Sequence, residues 1–235
     1  RRYNFNWCMS MNLKEIQKQN LNFLVDNTNN ILSWVFEKYP KKVFSTTSFG
    51  VNGIVLLDLI NKMNKDVPFY FINTGYHFKE TLDVMDHYKK KGFNIVEVFP
   101  EVDDSKHVLR EMGPDVCCSI NKVEPMRKIL KNNKGKIWIA AVSRYQSTTR
   151  SNFRFLELQD NDIIKIGPML VWKEDEIWRY INENNLVYNK LYDKGYKSIG
   201  CEPCTTPVND GEDSRAGRWR GSDKDECGLH TQFNR

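Results

Sequence analysis

The chain has 235 residues, a formal net charge of +5 and a pI near 8.8. It is long enough to bury one sizeable core, and its mildly basic balance suits an anionic small molecule as well as it suits nucleic acid. No apolar run reaches the roughly 18 residues of a bilayer-crossing helix, and the first residues lack the apolar stretch of a secretory signal, so a cytoplasmic protein without membrane association is expected. In a reducing compartment the six cysteines, two of them adjacent, read as metal ligands or redox catalysts before they read as disulfides.

Residues 1–40 predict a helical extension. Leu13, Ile16, Leu21, Leu24 and Val25, then Ile31, Trp34 and Val35, recur at helical spacing, with Asp26 or Thr28 as cap of the second helix and Pro40 as its end. Cys8 has no cysteine near it in the chain and reads as a bystander. From Lys42 the pattern changes to a β-rich run, a small-residue turn through Ser48, Phe49 and Gly50, and the apolar run Ile54 to Ile60. Such a strand, turn and helix present backbone N–H groups and the positive end of a helix dipole to an anion. The turn matches neither a P-loop nor a dinucleotide fingerprint, and by itself it reads as a tight helix entry without a ligand.

Further strands at Pro68–Ile72, Phe93–Val98, Ile137–Val142 and Ile163–Ile166 alternate with helices near His77–Lys90 and Glu174–Asn184. That alternation predicts an α/β fold over residues 41–200, a parallel sheet with helices on both faces, and ligand binding beyond the C-terminal strand ends. Three turns fall there: Ser45–Gly53, Asn73–Gly75 and Ser143–Ser147. Residues 201–235 form a glycine- and arginine-rich tail, expected to be mobile and to close over a site, that holds three of the six cysteines.

Cys201 and Cys204 have the spacing that lets two thiolates grip one metal centre from a tight turn. The adjacent Cys117 and Cys118 point in different directions and strain to bind one tetrahedral ion, whereas a cube of four irons offers each thiolate its own corner. The four together predict a 4Fe-4S cluster, with a four-cysteine zinc site or two unrelated buried pairs as alternatives. Cys227 stands alone and reads as a thiol for chemistry.

Ser48-Phe49-Gly50, Asn73-Thr74-Gly75-Tyr76, Cys117-Cys118, Asn121-Lys122-Val123-Glu124-Pro125, Arg144 with Gln146-Ser147, Gly200-Cys201-Glu202-Pro203-Cys204 and Glu226-Cys227-Gly228-Leu229-His230 occur in an informative order and spacing. In these pieces, over about residues 30–230, the chain resembles the adenylyl-sulfate and phosphoadenylyl-sulfate reductases, cluster-containing branch. The resemblance implies an adenine nucleotide α-hydrolase-like fold, related to the ATP pyrophosphatases, and reduction of an activated sulfate to sulfite. It implies Cys227 as nucleophile with Lys122 and His230 beside it, and Cys117, Cys118, Cys201 and Cys204 as cluster ligands. Ser48, Phe49, Gly50, Asn73, Thr74, Gly75, Arg144, Gln146, Arg150, Arg215 and Arg218 fall at or near positions that touch the nucleotide or its phosphosulfate. A thioredoxin-like dithiol is the implied electron donor, and a homodimer without a nucleic-acid partner the implied assembly.

Two departures bear on the substrate. Cluster-bearing members usually act on adenylyl sulfate and carry an acidic pair in the first turn, whereas this turn reads Ser48-Phe49-Gly50-Val51-Asn52-Gly53, and Asn73 stands where an aspartate is common. Each missing charge lessens repulsion of an added phosphate by about 1 kcal/mol. The expected substrate is therefore 3′-phosphoadenylyl sulfate, with adenylyl sulfate as the alternative. A tRNA thiolase of the ATP pyrophosphatase type should carry a Ser-Gly-Gly-x-Asp-Ser loop, which is missing. A zinc-binding nucleic-acid module leaves Cys227 without a role.

Overall fold

The computed structural model describes residues 11–101 and 105–233. Its sheet runs β3-β2-β1-β4-β6-β5, where β1 is Val43–Thr46, β2 Phe69–Ile72, β3 Ile95–Val98, β4 Ile137–Ala140, β5 Leu156–Leu158 and β6 Ile164–Ile166. All neighbouring strands are parallel except β5 and β6. Strand β4 is buried at every position, which is why it reads as an unbroken apolar run: a parallel strand covered on both faces has no place for alternation. The helices are α1 (Leu13–Phe23), α2 (Thr28–Lys38), α3 (Val51–Met63), α4 (Lys79–Lys90), α5 (Ser105–Cys118), α6 (Glu124–Asn132) and α7 (Glu174–Glu183). No helix among the described residues is long and apolar enough to cross a membrane. Cys8 lies outside the described residues.

The α/β architecture agrees with the expectation from sequence, and the differences are local. Helix α2 is capped by Asn27, whose side chain accepts from the Asn30 N–H at 3.0 Å, and not by Asp26 or Thr28. The Thr28 hydroxyl instead donates to the Pro168 carbonyl at 2.9 Å and accepts from the Trp172 indole at 2.7 Å. On α1, Ile16 and Phe23 are the buried positions, while Leu13 and Leu21, and Leu24 and Val25 just after the helix, are exposed. Phe23 sets this orientation by packing edge-on against Trp34 and Phe155, with centroids 5.2 and 6.1 Å away, and an aromatic pair buries more surface than the leucines it turns outward.

Two segments had no expectation attached. Strand β5 is a three-residue antiparallel edge, too short to show a period. The second is a helical run from α5 to α6, broken at Gly113, whose φ of +79° precedes Pro114, and widened into a π-turn over Ser119–Val123. The extra residue of a π-turn re-aims the side chains that follow it, here Asn121 and Lys122. The tail is docked, with Trp219 and Phe233 buried.

The two sides of α1 give a check on its register. Phe23→Ala should cost about 3–5 kcal/mol of unfolding free energy, and Leu21→Ala should stay within about 0.5 kcal/mol, as read from urea midpoints.

Candidate active site

A cavity of about 210 Å³ opens beyond the C-terminal ends of β1 and β4. The turn after β1 contributes Ser48 and Gly50. Gly50 is the N-cap of α3 and offers no side-chain cap to the first-turn N–H groups; that of Val51 donates to the Tyr192 hydroxyl at 3.4 Å, and those that follow suit an anion. The 3₁₀ turns Arg144–Gln146 and Thr149–Asn152 contribute Gln146 and Arg150. Lys122 and Met126 approach from the π-turn and α6, and the tail closes the remaining side with Arg215, Arg218, Trp219, Glu226, Cys227 and His230.

Glu226 organises the basic side of the cavity. Its carboxylate accepts from Arg150 Nε at 2.9 Å, Arg150 Nη2 at 3.1 Å and the Ser147 hydroxyl at 3.0 Å, with Arg215 Nη2 at 3.5 Å. Burial opposes the Glu226 charge, but Arg150 and Arg215 outweigh it and hold the carboxyl below its ordinary pKa. The guanidinium of Arg218 lies 4.4 Å from the Trp219 ring centre and packs flat on Gly200, where a Cβ would come within 2.3 Å of Arg218 Nη2. A side chain at position 200 would therefore displace the Arg218 guanidinium from beside Cys201. The buried Nε atoms of Arg215 and Arg218 have no hydrogen-bond partner; Arg215 Nε faces Asp225 Oδ1 at 3.8 Å, whereas Arg218 Nε is a donor available to an anion.

Behind this cavity, a second recess is lined by Cys117, Cys118, Cys201 and Cys204 together with Tyr76, Asn121, Lys122 and Trp219. The turn carrying Cys201 is pinned to the segment after β2 by a bridge between His77 and Cys201 and by the Glu202 N–H donating to the Tyr76 carbonyl at 2.8 Å. Asn121 Nδ2 lies 3.5 Å from Cys117 Sγ, and Thr74 Oγ1 lies 3.4 Å from Cys201 Sγ. Burial pushes the Cys118 thiol up to about 11 and also raises Cys117 and Cys204. Burial likewise opposes ionisation of Cys201, but Lys122 and the Thr74 hydroxyl outweigh it and lower that thiol's pKa. Lys122 lines both cavities. Its own burial works against the ammonium, yet the sulfurs of the cysteines around it, Cys201 first, raise its pKa above the lysine norm. Among the described residues, no three His, Cys, Asp or Glu side chains converge on one metal-ion position.

Of the residues expected at the site, Ser48, Gly50, Lys122, Gln146, Arg150, Arg215, Arg218, Cys227 and His230 line the larger cavity. Phe49, Asn73, Thr74, Gly75 and Arg144 do not. Phe49 is core, packed 5.2 Å from the Phe71 ring. Asn73 donates to Glu97 at 2.9 Å and accepts from the Gly75 N–H at 3.1 Å. Arg144 donates to the Phe153 carbonyl from Nε at 3.2 Å and from Nη2 at 3.0 Å. Sequence reasoning missed His77, Tyr145, Tyr192, Trp219 and Glu226 on the cavity wall. For Glu226 a signal existed: one acid adjoining the lone cysteine, downstream of an arginine-rich stretch. The aromatic residues carry no such mark.

A family model described as "Phosphoadenosine phosphosulfate reductase domain" matches residues 42–207. Adenosine 5′-phosphosulfate reductase 2 of Bacillus subtilis (strain 168) is 40% identical over 226 residues, 92% of this chain and 94% of that relative. Adenosine 5′-phosphosulfate reductase of Bacillus anthracis is 42% identical over 212 residues, 86% of this chain and 92% of that relative. Among solved structures, the phosphoadenylyl-sulfate (PAPS) reductase from Candida auris, in a phosphate complex, superposes with a TM-score of 0.74 at 27% identity, covering 84% of this chain and 99% of that one.

The depressed pKa of Glu226 has a definite sign in stability. A carboxyl whose pKa is lower folded than unfolded stabilises the fold above the unfolded value and loses that contribution as pH falls through the folded one. Glu226→Gln should therefore lower the urea midpoint at neutral pH, and the gap to wild type should narrow steadily below about pH 4.5. A gap of constant size across that range would mean that the carboxylate is not held by the arginines.

Proposed function

The chain belongs to the phosphoadenosine phosphosulfate reductase family, and on that premise we propose that it reduces adenosine 5′-phosphosulfate to sulfite and AMP through an S-sulfocysteine on Cys227. The observation that carries this reading is the convergence of Cys227 and Lys122 on a cavity that also holds an uncapped helix start and three arginines. Sulfate joined to phosphate is electrophilic at sulfur. The Cys227 thiolate attacks that sulfur, the bond from sulfur to the bridging phosphate oxygen breaks, and the nucleoside monophosphate leaves. Lys122, Arg215 and Arg218 neutralise charge that builds on the transferring and departing groups. A dithiol of the thioredoxin class then attacks Cys227 Sγ and expels sulfite. The second thiol of the donor displaces Cys227, so the donor leaves as a disulfide and supplies the two electrons.

The four recess thiols fit a 4Fe-4S cluster. The donor set is all thiol, two of the four come from adjacent residues that suit separate irons, and the buried Tyr76 hydroxyl on the recess wall has no protein partner and can donate to a sulfide. When bound, such a cluster ties residues 117–118 to residues 201–204 and sets a fixed charge beside Lys122. Cys117, Cys118, Cys201 and Cys204 would hold it.

The choice of nucleotide rests on two supports. The relatives at 40–42% identity carry the adenosine 5′-phosphosulfate name. The neutral residues that favoured a 3′-phosphate are also committed elsewhere: Asn73 lies off the cavity, and the Asn52 amide donates to Ser143 at 2.8 Å and accepts from the Tyr145 hydroxyl at 2.7 Å. The second reading, 3′-phosphoadenylyl sulfate, draws on the absence of acids in Ser48–Gly53 and on the solved relative of that name.

Cys227→Ser should abolish sulfite release and keep the full iron content, because this thiol is nucleophile and not ligand, whereas Cys118→Ala should lose iron and stability together. Iron loss in the first variant, or a soluble, iron-replete second one, would overturn the division of roles. Steady-state rates with both nucleotides should give the higher kcat/KM for adenosine 5′-phosphosulfate. A higher value for the 3′-phosphorylated form would favour the second reading.

A further inference from the structure

Strand β6 places a lysine, Lys165, between two isoleucines at the centre of a buried strand, with 2% of its surface exposed. An ammonium there is costly unless every donor finds a partner. One partner is Glu157 on β5, directly opposite in register, with Oε2 at 2.8 Å. The second is the backbone carbonyl of His230, at 3.3 Å. The ammonium also lies 4.2 Å from the Phe153 ring centre and 5.6 Å from that of Trp138. An edge-strand ion pair needs only Glu157 and Lys165, so the contact with His230 adds a function to the lysine.

The same short stretch is held at two further points. The His230 imidazole stacks on Trp138 with centroids 5.4 Å apart and planes at 13°. Phe233 is buried, its carbonyl accepts from the Asp160 N–H at 2.9 Å, and the Arg127 guanidinium lies 5.7 Å from its ring. Between these anchors and Cys227 the chain reverses at Gly228, whose φ is +90°, and the Gly228 carbonyl accepts from the N–H groups of Thr231 and Gln232. A Cβ at Gly228 would press on Gln232 at 2.9 Å and on Val123 at 3.1 Å. The turn is therefore tight enough to pass a displacement of His230 on to Cys227.

We propose that Lys165 and Phe233 form a latch for the segment that follows Cys227: they dock His230 and, through the Gly228 turn, fix the Cys227 thiol in the cavity, which makes Lys165, His230 and Phe233 positioning residues for the transfer step. Neither Lys165 nor Phe233 lines the cavity, so the latch acts on the thiol without touching the nucleotide. The rate consequence rests on Cys227 being the nucleophile; the docking itself does not.

The test uses the iron-containing full chain and the double variant Glu157→Gln/Lys165→Met, which removes the ammonium without leaving a buried carboxylate unpaired, beside Glu157→Gln alone and Phe233→Ala. Two quantities are read: the rate at which iodoacetamide labels Cys227, followed by peptide mass spectrometry, and the single-turnover rate of S-sulfo-enzyme formation. The double variant and Phe233→Ala should label Cys227 several-fold faster and form the S-sulfo-enzyme at least about tenfold more slowly, with the KM for nucleotide little changed. Glu157→Gln alone, which leaves the ammonium a neutral acceptor in place of its counter-ion, should fall between wild type and the double variant in both. Wild-type labelling of Cys227 in either folded variant would overturn the latch whatever the chemistry of Cys227. Faster labelling with an unchanged transfer rate would overturn the positioning role and point to a nucleophile other than Cys227.

Discussion

Lys122 stands between two sets of sulfur atoms, and much of the site follows from keeping its ammonium there. On one side it faces a recess of four cysteines, and on the other it lines the cavity that contains Cys227. A half-buried cation needs negative charge near it, and Cys201, whose thiol pKa Lys122 and the Thr74 hydroxyl lower, favours supplying it. The π-turn over Ser119–Val123 contributes to this placement, since its extra residue turns Lys122 inward directly after the adjacent cysteines. The bridge from His77 to Cys201 completes the enclosure by bringing the tail turn against the end of β2.

The tail is the second half of the construction. Net positive charge from Arg150, Arg215 and Arg218 would repel itself in so small a cavity, and Glu226 offsets it while locking the residue before Cys227 in place. On the other side of the thiol, Gly228 reverses the chain and His230 is carried onto Trp138. Burial and the neighbouring Arg150, Lys165 and Arg215 hold the His230 pKa well below the ordinary imidazole value, so the ring is neutral. A neutral, stacked imidazole suits docking better than proton transfer. The tail expected to be mobile is thus docked in the structure, with acid, glycine and histidine around the cysteine each tied to a different wall.

Much of this was legible in the residues, and what was not had physical causes. The sheet is legible because β2 and β4 are nearly continuous apolar runs and β1 opens on Val43 and Phe44, and the cysteine spacings mark the recess. Leucine spacing alone does not show which face of α1 is buried, because Phe23, packed between Trp34 and Phe155, wins the core. The caps of α2 were confused because Asp26, Asn27 and Thr28 are all good cap residues, and only tertiary contacts to Pro168 and Trp172 decide which one is free to serve. Lys165 and Trp138 carried no signal at all: a lysine in a strand and a tryptophan in another become a clamp only when the sheet order sets β4 beside β6.

One thiol, Cys227, is proposed to take the sulfonate, while the four recess thiols take no part in the transfer. Peptide mass spectrometry after a single turnover with adenosine 5′-phosphosulfate, in the absence of any dithiol, tests it most directly. A sulfonate is expected on the peptide that contains Cys227, in proportion to the nucleotide consumed, and none on peptides that contain Cys117, Cys118, Cys201 or Cys204. A sulfonate on any of those four, or nucleotide consumption that leaves Cys227 unmodified, would contradict it.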